Sequence, residues 1–306
     1  MDRRDSDDRH HLASAAVVVG VDGSQASERA LLWAADLAAQ RGRELRIVHG
    51  LTLNKLAAVY SRYDVSLTPV VEAMHNRGEV YTGQAVDTVR QHHPQLRISS
   101  VVSDGDPSPL LIRYSADAYR VVIGDAGAGG RSSHLGSIMV AVTSHAHGAV
   151  VVVRADPEGR VRTEGPVVVG VDGSPGSEPA LAAAFEEAAE RGTELVAVHV
   201  WADVNAGQYA DYPYLLETVP TIAVDEAAVL AERLAGWQEK YPEVTVNRQT
   251  YPSDPAAVLI DWSTRAQLVV TGSRGRGGFR GLLLGSTSNS LVQHAQCPVM
   301  VVHPEQ

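Results

Sequence analysis

Apolar residues along the chain fall into short unbroken runs separated by helically spaced sets, and this alternation passes through the sequence twice. The run Ala15-Ala16-Val17-Val18-Val19-Gly20-Val21 is too continuous in β-branched residues for a strand with one wet face. It predicts a strand buried on both faces, as in a parallel sheet. Leu31, Ala34, Ala35 and Ala38 follow at the i, i+3, i+4, i+7 spacing of an amphipathic helix, and Leu181, Ala184, Phe185 and Ala188 repeat it. In the second copy Ser174 followed by Pro175 suits a cap and first helical position, while Gly42 and Gly192 stand where each helix should stop. Second strands are expected over Glu44 to His49 and Glu194 to His199, and long helices over Val70 to His93 and about Ala223 to Lys240. Third strands (Arg97 to Val102, Val244 to Tyr251) lead to short helices opened by Asp106-Pro107 and Asp254-Pro255. Fourth strands (Arg120 to Gly124, Gln267 to Gly272) and last strands (Ala149 to Val153, Val299 to Val302) complete each copy.

Strand alternating with helix predicts the α/β class: two tandem, doubly wound, five-stranded parallel-sheet domains. The length of 306 residues suits two such domains. Boundaries follow from composition: a disordered tail over 1–13, a first domain over 14–154, a linker rich in charge, Gly and Pro over 155–164, and a second domain over 165–306.

Charge and cysteine usage narrow the function. A formal net charge of −10 argues against duplex nucleic acid as a partner, although Arg274, Arg276 and Arg280 form a local basic loop. No apolar run is long enough to span a membrane and the N-terminal segment lacks the apolar core of a signal peptide, so a cytoplasmic location is expected. The single cysteine, Cys297, opens an apolar run and reads as a small buried residue rather than a redox sensor. His10-His11, His92-His93, His145, His147 and His294 are scattered without ligand spacing; His49 and His199 recur at equivalent strand ends and read as pocket-lining or backbone-satisfying groups.

The strongest signal is a repeated pair of segments. Gly20-Val21-Asp22-Gly23-Ser24 returns 150 residues later as Gly170-Val171-Asp172-Gly173-Ser174, and each copy ends its fourth strand in a glycine-rich loop. The second loop runs Gly272-Ser273-Arg274-Gly275-Arg276-Gly277-Gly278 and on to Gly285-Ser286-Thr287 at a helix start. Between a strand and a helix N-terminus, such a loop can turn its amides on an anion, and its glycines allow close approach. It is not a Walker A loop, because no Lys precedes Ser286, and Arg280 stands where a dinucleotide fingerprint needs its third glycine. Asp22 and Asp172, just past the first strands, lie where a doubly wound sheet forms its ligand crevice. They suit either ribose hydroxyls or the local Asp-Gly-Ser turn and cap. No G-x-S-x-G nucleophile elbow is present.

On these residues the chain resembles the universal stress proteins, whose signature G-x2-G-x9-G followed by Ser or Thr is matched by Gly272, Gly275, Gly285 and Ser286. The resemblance covers both halves and implies a flavodoxin-like, adenine nucleotide alpha hydrolase-like fold. It also implies ATP as ligand, with Mg²⁺ as a candidate companion. Gly170, Asp172, Gly272, Ser273, Arg274, Gly275, Arg276, Gly277, Gly278, Gly285, Ser286 and Thr287 inherit the nucleotide-binding roles, with Asp203 beyond the second strand as a further base-side candidate. In the first half Gly20, Asp22, Gly124, Gly127, Gly136 and Ser137 correspond, but only eight residues separate Gly127 from Gly136, one short of the pattern. Aligning Asp125 with Ser273, Ala126 with Arg274, Ala128 with Arg276 and Arg131 with Arg280 removes two positive charges and adds a negative one. At ~6 Å and an effective permittivity of ~20, each unit charge exchanged is worth up to about 3 kcal/mol, so the first site is expected to be weaker.

The function implied is nucleotide occupancy coupled to stress response or growth regulation, with little or no catalysis. Alternatives are a slow ATP hydrolase or kinase using Asp172 and a metal near Ser286, a cyclic-nucleotide receptor, and a nucleotide-free interaction scaffold. The apolar last strands also suit a homodimer or a pseudo-symmetric tandem pairing.

Overall fold

The computed structural model describes residues 10–53, 67–125, 137–201, 213–275 and 284–304. The chain divides into two compact units, one ending at Val153 and one running from Arg154 to Pro304.

In the first unit β1 (Val17–Gly20), α1 (Gln25–Gln40), β2 (Leu45–Gly50), α2 (Thr68–His92), β3 (Ile98–Ser103), α3 (Pro107–Ser115), β4 (Arg120–Gly124), α4 (Ser137–His145) and β5 (Ala149–Val153) follow in turn. The strands are parallel in the order β3-β2-β1-β4-β5. The crossovers put α1 and α2 on one face and α3 and α4 on the other. Burial on both sides explains the valine runs: Val17, Val18 and Val19 of β1 and Val150 to Val153 of β5 are at most 1% exposed. The order reverses between β1 and β4, which opens a crevice at their carboxyl ends.

Of the stretch expected to be a disordered tail, residues from His10 onward are instead held down by hydrogen bonds to the first domain. His10 Nδ1 lies 2.8 Å from the Ala118 carbonyl, and Arg43 donates to the carbonyls of Leu12 (2.7 Å) and Ala15 (3.0 Å). Residues 1–9 lie outside the described residues.

The second unit repeats the plan with β6 (Val167–Val171), α5 (Glu178–Arg191), β7 (Leu195–Val200), α6 (Pro213–Lys240), β8 (Val246–Tyr251), α7 (Pro255–Ser263), β9 (Leu268–Gly272), α8 (Ser286–His294) and β10 (Val299–Val302). Its parallel order is β8-β7-β6-β9-β10.

One helix start departs from expectation. Ser24 caps α1 by accepting from Ser27 N at 3.1 Å, but after Ser174 a 3₁₀ turn, Pro175–Ser177, comes first and α5 begins only at Glu178. The cause is Pro179, which has no N–H to return to the carbonyl four residues back and so breaks the α-ladder through the first turn. Arg29 occupies the matching place in α1, and that helix runs unbroken from Gln25. Both glycine stops hold: Gly42 and Gly192 take φ of 60° and 59°.

Candidate functional site

In the second unit the crevice is built from the ends of β6 and β9. The Asp172 carboxylate folds back on its own turn, with Oδ1 accepting from Ser174 N (2.9 Å) and Ser174 Oγ (2.7 Å). Gly173 takes φ 76°, the left-handed geometry that the Asp-Gly-Ser sequence anticipated. Asp22 does the same in the first unit, accepting from Ser24 N at 3.0 Å beside Gly23 at φ 77°. Turn formation is therefore a role of both aspartates, and in the second unit it fixes where the other carboxylate oxygen lies.

That oxygen meets the glycine loop. A Cβ on Gly275 would stand 2.9 Å from Asp172 Oδ2, so aspartate and loop touch at a place where only glycine fits unchanged. Gly272 is under similar pressure, its Cβ direction leading to the backbone oxygens of Gly176 and Arg274 at 3.2 Å. Ser273, 2% exposed, extends the β9 ladder by donating its N–H to the Val302 carbonyl at 2.8 Å. Its own carbonyl accepts from Gly285 N at 2.8 Å, and Ser288 Oγ donates to the Gly272 carbonyl at 2.6 Å. These bonds clamp the two ends of the loop together and set the start of α8 beside the end of β9. Gly285 is the N-cap of α8, its carbonyl accepting from Asn289 N at 2.9 Å. The first amides of that helix, from Ser286 and Thr287 on, have no partner within the helix, and Ser286 is exposed. With exposed Arg274 alongside, this corner offers amides, a helix N-terminus and a guanidinium to an anion.

Gly20 and Gly170 have a different placement. Their Cβ directions meet Leu111 at 3.1 Å and Leu259 at 2.8 Å, side chains of α3 and α7, so glycine here lets those helices close on the sheet. Asp203, Arg276, Gly277, Gly278, Gly127 and Gly136 lie outside the described residues, as does the side chain of Ser137.

His49 and His199 satisfy backbone, as one of their two expected roles required. Their Nδ1 atoms lie 2.7 and 2.6 Å from the carbonyls of Val21 and Val171, tying the end of the second strand to the first. The second site adds what the sequence did not suggest: His199 Nε2 lies 2.8 Å from Glu226 Oε2 on α6. In the first unit the corresponding helix presents Gly78 to His49 instead, and Tyr81 lays its ring edge-on to His49 and against Gly23. Trp201, directly beyond β7, has a buried indole N–H with no hydrogen-bond partner among the described residues.

The end of β4 in the first unit also differs from its expected charge. Asp125 is there, but Arg29 of α1 pairs with it at 3.4 Å, with the two side chains 6% and 21% exposed. The negative charge counted against this site is therefore neutralised locally, which the loop alignment alone missed. The signal lay at the equivalent positions of the two copies, Arg29 against Pro179.

Elsewhere Cys297 is fully buried, and desolvation pushes its thiol from 9.0 up to about 12, consistent with an inert core residue. Among the described residues no helix is long and apolar enough to cross a membrane.

Comparison with known proteins matches a family model, the universal stress protein family, to residues 15–154 and again to 165–303. A universal stress protein of Mycolicibacterium smegmatis is 38% identical over 293 residues, covering 94% of this chain and 97% of that protein. One from Mycobacterium tuberculosis is 37% identical over 295 residues, covering 94% and 96%. Among solved structures, a universal stress protein from Archaeoglobus fulgidus shares the fold with a TM-score of 0.65 at 19% identity, covering 95% of this chain and 97% of that one.

Proposed function

Since the chain belongs to the universal stress protein family, with one family domain in each half, we propose that its second domain is a receptor for an adenine nucleotide, ATP in the first instance. The observation that carries this reading is the corner where the Asp172 carboxylate, the backbone of Gly275 and the N-terminus of α8 converge. The fit to a nucleotide is chemical. Gly272 and Gly275 leave no room for a side chain, so at these two positions the main chain itself can approach phosphate oxygens. Ser286, Thr287 and Arg274 would share the phosphate charge, Asp172 would hold the ribose, and Trp201 would face the base side. A bound Mg²⁺ would supply additional countercharge to the phosphates.

The described residues suit binding better than turnover. The loop has no Walker-type lysine, and Asp172 Oδ1 already accepts from Ser174 N and Ser174 Oγ. Occupancy of the site would then report nucleotide level to a partner in stress response or growth regulation, and any hydrolysis would be slow. Mass spectrometry of the ligand released on denaturing the purified protein, with calorimetric titration of ATP, tests the reading. Bound adenine nucleotide or saturable ATP binding supports it; neither ligand nor heat overturns it. Turnover of about 1 s⁻¹ or more, abolished by Asp172→Asn without loss of binding, would make the protein an enzyme instead.

A further inference from the structure

We propose that Tyr81 reserves nucleotide binding for the second domain: its ring lies on the Asp22-Gly23-Ser24 turn of the first crevice and covers the place where the matching turn, Asp172-Gly173-Ser174, would hold a ribose. The inference rests on the nucleotide reading of the second crevice and concerns which crevice a nucleotide can enter.

The turn itself is alike in the two domains. Asp22 and Asp172 accept from Ser24 and Ser174 N at 3.0 and 2.9 Å, beside glycines at φ 77° and 76°. What packs on the turn is not alike. In the first domain a Cβ on Gly23 would stand 2.5 Å from Tyr81 Cε1 and 2.8 Å from both Cδ1 and Cζ. Three consecutive ring atoms at these distances set one edge of the ring against the turn, and space that does not admit a methyl group does not admit a sugar. A ribose seated on this side of the turn has first to displace the ring. Displacement also breaks the edge-on contact of Tyr81 with His49, whose ring centroids lie 5.6 Å apart with planes at 71°.

The helix that carries Tyr81 is seated so as to bring it there. Gly78 lies one turn earlier in α2, where glycine is a poor helix former, and its Cβ would stand 2.8 Å from His49 Cδ2 and 2.9 Å from Val102 Cγ1. Glycine thus lets the backbone of α2 press on side chains near the ends of β2 and β3. One turn before Gly78, the exposed His75 Nε2 lies 2.5 Å from Asp104 Oδ1, just beyond β3, a link that adds direction more than strength. In the second domain these residues are exchanged. Counted back from β3 and β8, which begin at Ile98 and Val246, Glu226 and Val229 stand at the places of Gly78 and Tyr81. Glu226 Oε2 lies 2.8 Å from His199 Nε2, so α6 meets its histidine through a side chain and not through its backbone. Val229 has no ring to lay on the turn, and Ala223 and Pro252 replace His75 and Asp104.

The test is calorimetric titration of the full-length protein with ATP, with a thermal melt on each variant to check the fold. The wild type is expected to bind one ATP per chain. Tyr81→Val, which copies the second domain, should bind a second ATP, its affinity at the first crevice raised about tenfold or more once the ring no longer has to be displaced. Tyr81→Ala should move the same way, which guards against a packing defect particular to valine. Tyr81→Phe keeps the ring and should stay at one ATP, which separates the bulk of the ring from its hydroxyl. Two equivalent ATP sites in the wild type, a second site in Tyr81→Phe, or no second site in either Tyr81→Val or Tyr81→Ala overturns the inference and leaves the nucleotide reading standing. No ATP bound by the wild type or by any variant overturns that reading and the inference with it, so the two failures are told apart.

Discussion

Gly275→Ala is the smallest change that tests the corner between loop and aspartate. Gly275 is not among the glycines with positive φ, so alanine there carries no backbone strain, and the effect is confined to the space its methyl occupies. That methyl would lie 2.9 Å from Asp172 Oδ2, where ordinary contact begins at 3.4 Å, so the carboxylate has to retreat. It is not free to do so, because Oδ1 is pinned by Ser174 N at 2.9 Å and by Ser174 Oγ at 2.7 Å. Hydrogen bonds to a charged group are worth about 1.5–3 kcal/mol each. Partial loss of the pair, or a carboxylate pushed off its rotamer, costs about 1–2 kcal/mol of positioning. If Asp172 grips the ribose, ATP affinity falls roughly 5- to 30-fold. Calorimetric titration reads the affinity, and a thermal melt checks that the fold is intact. In a Ser174→Ala background, where one pin is already gone, the same substitution should cost less. An affinity within about twofold of wild type, with an unchanged melt, would refute the coupling of Asp172 to the loop.

Two further predictions concern stability. Replacing His199 by Ala removes a 1% exposed ring that joins the Val171 carbonyl to Glu226, and should cost about 3 kcal/mol in urea melts; His49→Ala, where the half-buried ring holds only the Val21 carbonyl among described hydrogen bonds, should cost clearly less, and equal losses would contradict the role given to Glu226. Burial raises the Cys297 thiol from 9.0 to about 12, so its contribution is complete below the unfolded value and is lost as pH rises through this window, by up to about 4 kcal/mol. Cys297→Ala should therefore lose less stability than wild type between those pH values, and native protein at neutral pH should resist thiol reagents; rapid labelling without unfolding would contradict the burial.

The sequence by itself determined the local structure of this protein. Unbroken valine runs can be satisfied only by strands covered on both faces, glycine at 42 and 192 can take the left-handed turn that ends a helix, and Asp-Gly-Ser writes its own turn through bonds two residues long. Repetition made these signals stronger, since the same pattern recurs 150 residues on. The full loop signature at Gly272, Gly275, Gly285 and Ser286 was legible for the same reason: its spacing is a property of neighbouring residues. What only the tertiary structure decided is which distant groups meet. Strand order, with its reversal between β1 and β4 and between β6 and β9, depends on how the crossovers pack. It is this packing that lays Gly275 against Asp172, Glu226 against His199, and Arg29 against Asp125. A charge count along the loop scored Asp125 as a free negative charge because its partner lies 96 residues away, on a helix that the count did not include. Electrostatic and steric contacts act through space at a few ångströms, so a residue's charge and fit are set by its neighbours in the fold rather than by its neighbours in the chain.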